Sequence, residues 1–500
     1  MRGPHNIWRL IRTGATFERT GAMNVALNAI DAPKSVRILA RTIGFPFRFL
    51  GYKGDISQPP VLRAISALGP AYIKFGQLMS TRADIVGVDL AAELSVLQDA
   101  MPAFDTNIAR ETIETQLEDS IDNLFAEFSA PIAAASLAQV HPATLHNGRK
   151  VAVKVLRPGI ERAFLRDVDA FHLGAWLVEK MTARSKRLRP RDVINHFEHI
   201  VRTELDLRME ASVGSEYAEN TKDDDKFLTP DVIWSHSARR VMTTTWMHGE
   251  PLSDQKTIAK LGIDAESFAS LIMTSFLQQA LRDGLFHADM HQGNLKVTAN
   301  GELVALDFGI MGRLDKYTRR VYAQILYGFL NRDYDRVARV HFEAGYVPAD
   351  QDRAEFAQAL RSVGEPIFGQ DAENISMARL LGHLFEITEK FGMETRTELI
   401  LLQRTMVVVE GVARGIFPDL NIWEAARPAV TSYIKDSLGP KAMMSDIKEI
   451  AATISNLGPE LPAIIERLRQ TETIKTEKSN FWQYTTIVVL TCVCMFLWLN

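Results

Sequence analysis

Apolar positions along the chain switch between two spacings, and the switches divide it into parts. In LGPAYIKFGQLMSTRADIVG, residues 68–87, Tyr72, Phe75 and Leu78 recur every third position, as on one helix face, with Lys74, Gln77 and Arg82 as the polar members. A glycine inside such a helix, here Gly76, costs about 1 kcal/mol against alanine, so it points to a close backbone approach or a helix boundary. Between Thr144 and Leu156 the period falls to two. TLHNGRKVAVKVL reads as two strands joined by Asn147 and Gly148, which tolerate the positive φ of a tight hairpin. Val151, Val153 and Val155 take one face of the second strand, and Ala152 and Lys154 the other. After Pro190 the pattern predicts one long helix through RPRDVINHFEHIVRTELDLRMEASVGSEYAEN, and helical spacing dominates again over 316–470, as in LILLQRTMVVVEGVA.

The last stretch has no period at all. FWQYTTIVVLTCVCMFLWLN carries no charge from Phe481 to Leu499, and about 19 residues at ~1.5 Å rise span a ~30 Å hydrocarbon core. Trp482, Tyr484 and Trp498 lie near its ends, and Arg467, Arg469, Lys475 and Lys478 precede it. A single C-terminal anchor is expected, with the bulk of the chain on the cytoplasmic side. Both cysteines, Cys492 and Cys494, fall inside this tail, so neither a disulfide framework nor a zinc site is expected. The net charge of −4 lacks the basic footprint of a nucleic-acid binder. Arginines outnumber acids near the N-terminus, but no apolar stretch of a secretory signal follows them.

The candidate chemistry lies between these parts. Lys154, near the end of its strand, points with a small neighbour toward whatever lies beneath the hairpin. GLFHADMHQGNLKV places Asp289 and Asn294 five apart in a short polar loop, and ELVALDFGI ends a strand on Asp307, Phe308 and Gly309. One carboxylate to orient a hydroxyl, an amide oxygen and a second carboxylate for magnesium, and a lysine for phosphates are what phosphoryl transfer from a nucleotide needs. Their order and spacing match the protein-kinase signature set. The expected fold is α+β, a protein-kinase-like bilobal fold with a small β-rich N-lobe and a helical C-lobe. A helical N-terminal extension precedes it and the transmembrane helix follows. On the long helix after Pro190, Glu204, Asp206 and Glu210 are candidates to hold Lys154. At ~100° per residue Asp206 and Glu210 share a face, and Glu204 stands roughly 120° from Glu210, so the two glutamates serve different partners.

Three features depart from a protein kinase. DFGIMGRLDKYTRRVYAQILYGFL passes almost at once into a helix, with no APE anchor and so no platform for a peptide. His291 stands two residues after Asp289, where many protein kinases have a lysine that balances the transferring phosphate. The loop before the lysine strand, IAAASLAQVH, is built of alanine where glycine is usual. Each Cβ disfavours positive φ and close approach of amides to phosphate oxygens, so the loop is expected to be stiff.

With KFGQ, AAAS, TELDLRME and HADMHQGN in this order, the chain resembles the UbiB/ADCK family of atypical kinase-like proteins associated with ubiquinone synthesis. Specific motifs carry the resemblance from about Pro60 to Asn331; Gln292 stands where most members have proline. The resemblance implies that Lys74, Gly76 and Gln77 belong to a regulatory helix folded over the site, with Lys74 facing Glu204 of an ExD motif completed by Asp206. It implies that Ala133, Ala134, Ala135 and Ser136 form the ATP loop, that Glu210 fixes Lys154 against the phosphates, that Asn294 and Asp307 ligate magnesium, and that Asp289 is catalytic. Trp246 and Met247 then stand where the interlobe hinge meets adenine. The expected division is a basic segment at 1–57, the KxGQ extension at 58–125, the N-lobe at 126–250, the C-lobe at 251–435, an amphipathic linker at 436–479 and the anchor at 480–500.

The function implied is that of a membrane-anchored ATPase, with ATP and Mg2+ as cofactors, supporting ubiquinone biosynthesis. Alternatives are a kinase for a small molecule or lipid, and a nucleotide-gated scaffold. Membrane lipids, isoprenoid quinone precursors and quinone biosynthetic enzymes are the implied partners, and a bacterial inner membrane is preferred over a mitochondrial one.

Overall fold

The computed structural model describes residues 5–29, 47–80, 86–94, 96–97, 102–181, 190–252, 256–368, 390–393 and 397–438, with single positions between. The expected anchor and the linker before it lie outside the described residues, as do Arg82 and most of the stretch between Phe368 and Thr397. Among the described residues no helix is long and apolar enough to cross a membrane. One compact unit runs to Tyr433, and a second begins at Ile434.

The extension is built of α1 (His5–Thr20), α2 (Ala22–Ala29), α3 (Pro60–Leu68), α4 (Pro70–Ser80) and α5 (Val88–Leu94). Two further helices, α6 (Thr106–Leu117) and α7 (Ile121–Leu124), lead into the N-lobe. The Asp105 carboxylate caps α6 by accepting from the Asn107 amide at 2.8 Å. Although α6 and α7 fall in the stretch expected to form the KxGQ extension, they pack beneath the N-lobe sheet. Ile113, Ile121 and Leu124 share a core with Val151, Val153 and Val155.

That sheet is antiparallel in the order β1-β3-β4-β6, with β2 against β3: β1 (Glu127–Phe128), β2 (Ala133–Ala134), β3 (Ala138–Thr144), β4 (Lys150–Leu156) and β6 (Val241–Thr245). The hairpin expected at Asn147–Gly148 joins β3 to β4, and Gly148 has φ 81°. All three valines of β4 are fully buried, worth about 1.5–3 kcal/mol each. Their burial fixes the strand's register, so Lys154 faces away from this core, opposite Val140 on one side and Met242 on the other.

Between β4 and β6 run α8 (Ile160–Met181), α9 (Pro190–Glu204) and α10 (Leu207–Thr221). The single long helix expected after Pro190 is two helices. Asp206 is extended, with φ −128° and ψ 95°, and its carboxylate caps α10 by accepting from the Arg208 amide. The reason is packing: Leu205 and Leu207 are both buried, yet on one continuous helix they would point to nearly opposite sides. The face-sharing argument for Asp206 and Glu210 fails with it. α8 and α9 join the extension in one core, where Phe75 of α4 meets Phe171 and Phe197 at ring distances of 5.1 and 5.3 Å.

The C-lobe is mostly helical: α11 (Thr257–Lys260), α12 (Ala265–Gln278), α13 (Lys316–Leu330), α14 (Tyr334–Glu343), α15 (Arg353–Phe368), α16 (Thr397–Ile416) and α17 (Ile422–Leu438). Two small sheets hold its loops. One has the order β5-β10-β9-β7, from β5 (Phe227–Leu228), β7 (Glu250–Pro251), β9 (Leu295–Val297) and β10 (Leu303–Ala305). The other pairs β8 (Leu285–His287) with β11 (Met311–Arg313). Only two residues separate β11 from α13, which the Asp315 carboxylate caps, so the helix expected soon after DFG is there.

Candidate phosphoryl-transfer site

β4, α10 and the turn after β10 bring three charges together. The Lys154 Nζ donates to Glu210 Oε1 at 2.6 Å and to Asp307 Oδ1 at 3.2 Å. Burial opposes the charge of Lys154, but Asp307 and Glu210 outweigh it and hold its pKa above the usual lysine value. The Lys154 cation in turn holds Asp307 well below the usual carboxylate range, helped by the Gly309 amide, which donates to Oδ1 at 3.1 Å, and by Lys74. Burial pushes the Glu210 carboxyl up, against the pull of Lys154. Glu210 lies in the first turn of α10, where the helix dipole favours an acid. Asp206, one of the acids expected here, instead caps that helix and pairs with Arg208 at 2.7 Å.

Asp307 has φ 56°, a left-handed conformation that costs a non-glycine residue about 1–2 kcal/mol. Phe308, 3% exposed, anchors the turn between Tyr217 and His287, at ring distances of 5.6 and 6.2 Å. Gly214 of α10 leaves room for it: a Cβ there would meet the Phe308 ring at 2.6 Å. The strained turn is thus held by packing on one side and by Lys154 on the other.

The loop from Ala288 to Asn294 hangs between β8 and β9. Its Asn294 Nδ2 donates to the Asp289 carbonyl at 3.0 Å and to Oδ2 at 3.4 Å, leaving Oδ1 as the amide's acceptor. His287, fully buried, ties this loop to the Asp307 turn: Nδ1 accepts from the Asp289 amide at 3.1 Å and Nε2 donates to the Leu306 carbonyl at 3.0 Å. Burial pulls its pKa down, so the ring stays neutral in this role. His287 is not among the residues expected from the sequence, although it stands two positions before Asp289 in HADMHQGN.

Ala133 and Ala134 form β2, opposite Val140 and Gln139, and Ala135 donates to the Ala138 carbonyl at 2.8 Å. None of the residues Ala133 to Ser136 has a positive φ, so the alanines occupy backbone that glycine is not needed for. Ser136 is fully buried and among the described residues its hydroxyl has no hydrogen-bond partner, an orphan that costs about 1–3 kcal/mol. Trp246 follows β6 and donates its amide to the Lys150 carbonyl at 3.1 Å, while the Met247 carbonyl accepts from Lys296 Nζ at 3.4 Å.

α4 reaches the same region. Lys74 Nζ lies 3.4 Å from Glu204 Oε1 at the end of α9, with both side chains largely buried. Gln77 donates to the Leu97 carbonyl at 3.2 Å, and a Cβ on Gly76 would meet the Leu97 side chain at 2.5 Å. The close approach expected at Gly76 is the one found. The two glutamates do take different lysines, because the break at Asp206 separates them.

The carboxylates of Asp289 and Asp307 and the amide oxygen of Asn294 are hard oxygen donors. They fit magnesium, which keeps several waters and takes one or two carboxylates, better than a softer metal. Among the described residues no cluster of three or more His, Cys, Asp or Glu is placed to hold a metal by protein ligands alone.

Residues 96–341 match the family model of the ABC1 atypical kinase-like domain, and residues 360–421 that of the UbiB helical domain. Among solved structures, the chain is similar to Rv3197 of Mycobacterium tuberculosis, determined in complex with erythromycin. The identity is 23% and the TM-score 0.50, over 65% of this chain and 82% of that one. That likeness shows the fold alone. The Rio2 kinase of Chaetomium thermophilum, in a complex with ADP, Mg2+ and phosphoaspartate, aligns over 64% of this chain and 96% of its own, at 13% identity and a TM-score of 0.27.

Proposed function

Because the chain belongs to the UbiB/ADCK family of atypical kinase-like proteins, we propose that it is a magnesium-dependent ATPase that works at a membrane in support of ubiquinone biosynthesis. The observation that carries the ATP reading is the Lys154 ammonium shared between Glu210 and Asp307, with Asn294 hydrogen-bonded to Asp289 in the loop that His287 ties to the Asp307 turn. In this reading Lys154 holds the α- and β-phosphates and Glu210 keeps the lysine charged and aimed. Asn294 and Asp307 would hold Mg2+, which supplies charge neutralisation along the phosphates. Asp289 orients the attacking oxygen and accepts its proton, with the backbone of its loop fixed by His287.

Hydrolysis is favoured over transfer to a protein because β11 leads into α13 without an activation segment, while α4 lies over the region through the Lys74–Glu204 pair. The membrane reading is supported at sequence level by the uncharged tail, and in the fold by the exposed face of α1. There Ile7 and Trp8 are 57% and 45% exposed, and Arg12 lies between the rings of Trp8 and Tyr52 at 5.6 and 5.7 Å. Aromatics interleaved with arginine suit an anionic lipid surface. The link to quinones rests on family membership.

Full-length protein with vesicles, Mg2+ and γ-labelled ATP tests the reaction. Release of free labelled phosphate, abolished in Asp289→Asn, is the expected result. Label in an extracted lipid or small molecule would make the protein a kinase for that acceptor, and binding without turnover would leave the nucleotide-gated scaffold.

A further inference from the structure

The catalytic loop has no lysine to offset charge on the transferring phosphoryl group, and His291, in its place, does not supply one. Its Nδ1 accepts from the Gly293 amide at 3.0 Å, which turns Nε2 toward Asp289 Oδ2, 3.6 Å away. A cation of the C-lobe, Arg404, stands on a helix that packs against the same loop. α16 lies against the loop at two points. The Thr405 hydroxyl donates to the Ala288 carbonyl at 3.1 Å, and a Cβ on Gly415 would come within 3.4 Å of the Gln292 amide nitrogen. Arg404 precedes Thr405. It is exposed to solvent, and among the described residues it has neither a hydrogen bond nor an ion pair. Burial nevertheless pulls its pKa down, and the acid that pulls it back up is Asp289. Arg404 also lies eleven residues, or about three helical turns, before Gly415, so the two share the face of α16 that meets the loop.

We propose that Arg404 stands in for the missing loop lysine, so that the helical module matched at 360–421 completes the active site. The inference rests on the ATP reading above. In the step, water oxygen bonds to the γ-phosphorus as the bond to the bridging β–γ oxygen breaks. The water proton passes to Asp289, and the electron pair of the broken bond leaves on the β-phosphate of ADP. The Arg404 guanidinium gains and loses no proton. It offsets the charge spread over the equatorial oxygens, a contribution worth roughly 10²-fold or more in rate when made by an arginine.

The test uses the full-length protein and the variants Arg404→Gln, Arg404→Lys and Arg404→Ala. The expected result is an ADP affinity within about twofold of wild type, as no phosphate beyond β is involved, and a turnover number for ATP lowered roughly 10²-fold. Arg404→Lys should keep part of the rate, and low-millimolar guanidinium ion should restore part of it to Arg404→Ala. Wild-type turnover in Arg404→Ala would overturn the inference, as would equal losses of ADP binding, ATP binding and melting temperature without rescue. A wild-type protein that neither binds nor hydrolyses ATP would instead overturn the reading on which the inference rests.

Discussion

Gly214→Ala sets two effects of opposite sign against each other, and the structure says which wins. On an open helix the change would stabilise by about 1 kcal/mol, the difference in propensity between the two residues. Here the added Cβ would lie 2.6, 3.1 and 3.3 Å from three atoms of the Phe308 ring. The ring is not the loose end of a flexible side chain: it is 3% exposed and wedged between Tyr217 and His287. Overpacking of this kind costs about 1–3 kcal/mol, so the net effect is a loss of roughly 1 kcal/mol. The ring escapes only by carrying its neighbour along, and Asp307 then leaves Lys154, now 3.2 Å away. Urea unfolding should show the lower stability, and calorimetry with Mg2+ and ADP an affinity lower by about tenfold, the ~1.4 kcal/mol expected from one weakened charged contact. Shrinking the ring with Phe308→Leu in the same chain should recover stability, a coupling readable from the double-mutant cycle. A Gly214→Ala protein more stable than wild type and equal to it in nucleotide affinity would refute the reasoning.

Three further perturbations probe the same account. Lys154→Met leaves Glu210, whose side chain is 9% exposed, without its cation, which should cost about 3–5 kcal/mol near neutral pH. Because the stranded carboxyl escapes by taking up a proton, its folded pKa lies above the unfolded value and the deficit should shrink as pH falls toward 5; a deficit independent of pH would argue against the pairing. Ala134→Gly should change nucleotide affinity or permit autophosphorylation, since it loosens a strand residue paired with Gln139; no change in either would mean that the alanines only pack. Burial lowers the pKa of His341 to about 4, so its contribution to stability is present above about 6.5 and is lost as pH falls; at pH 5 the loss should be roughly 2 kcal/mol. His341→Phe should flatten that part of the unfolding curve, and an unaltered slope would place the titration elsewhere.

What the sequence made legible were local motifs whose chemistry and spacing are short-range. Lys154 could be placed by strand alternation, and Asp289, Asn294 and Asp307 by their positions at loop and strand ends. The break between α9 and α10 was hidden because periodicity sees no difference between Asp206 as a helix member and Asp206 as a cap; the buried Leu205 and Leu207 on either side were the available signal. Arg404 was beyond local reasoning altogether, since only tertiary packing of α16 brings it to a loop 117 residues away from the neighbouring Thr405. The alanine segment reads as a loop in the sequence, whereas Ala133 and Ala134 pair with β3 as a strand and have no positive φ, a pairing that only the fold of β3 reveals.

The central claim is that Lys154, Asn294 and Asp307 form a site for a magnesium–nucleotide complex, and titration calorimetry of the full-length protein with ATP, with and without Mg2+, tests it most directly. The account predicts binding that depends on magnesium in the wild type and loses that dependence, with at least a tenfold fall in affinity, in Asp307→Asn. Equal affinity with and without the metal, unchanged by Asp307→Asn, would contradict it.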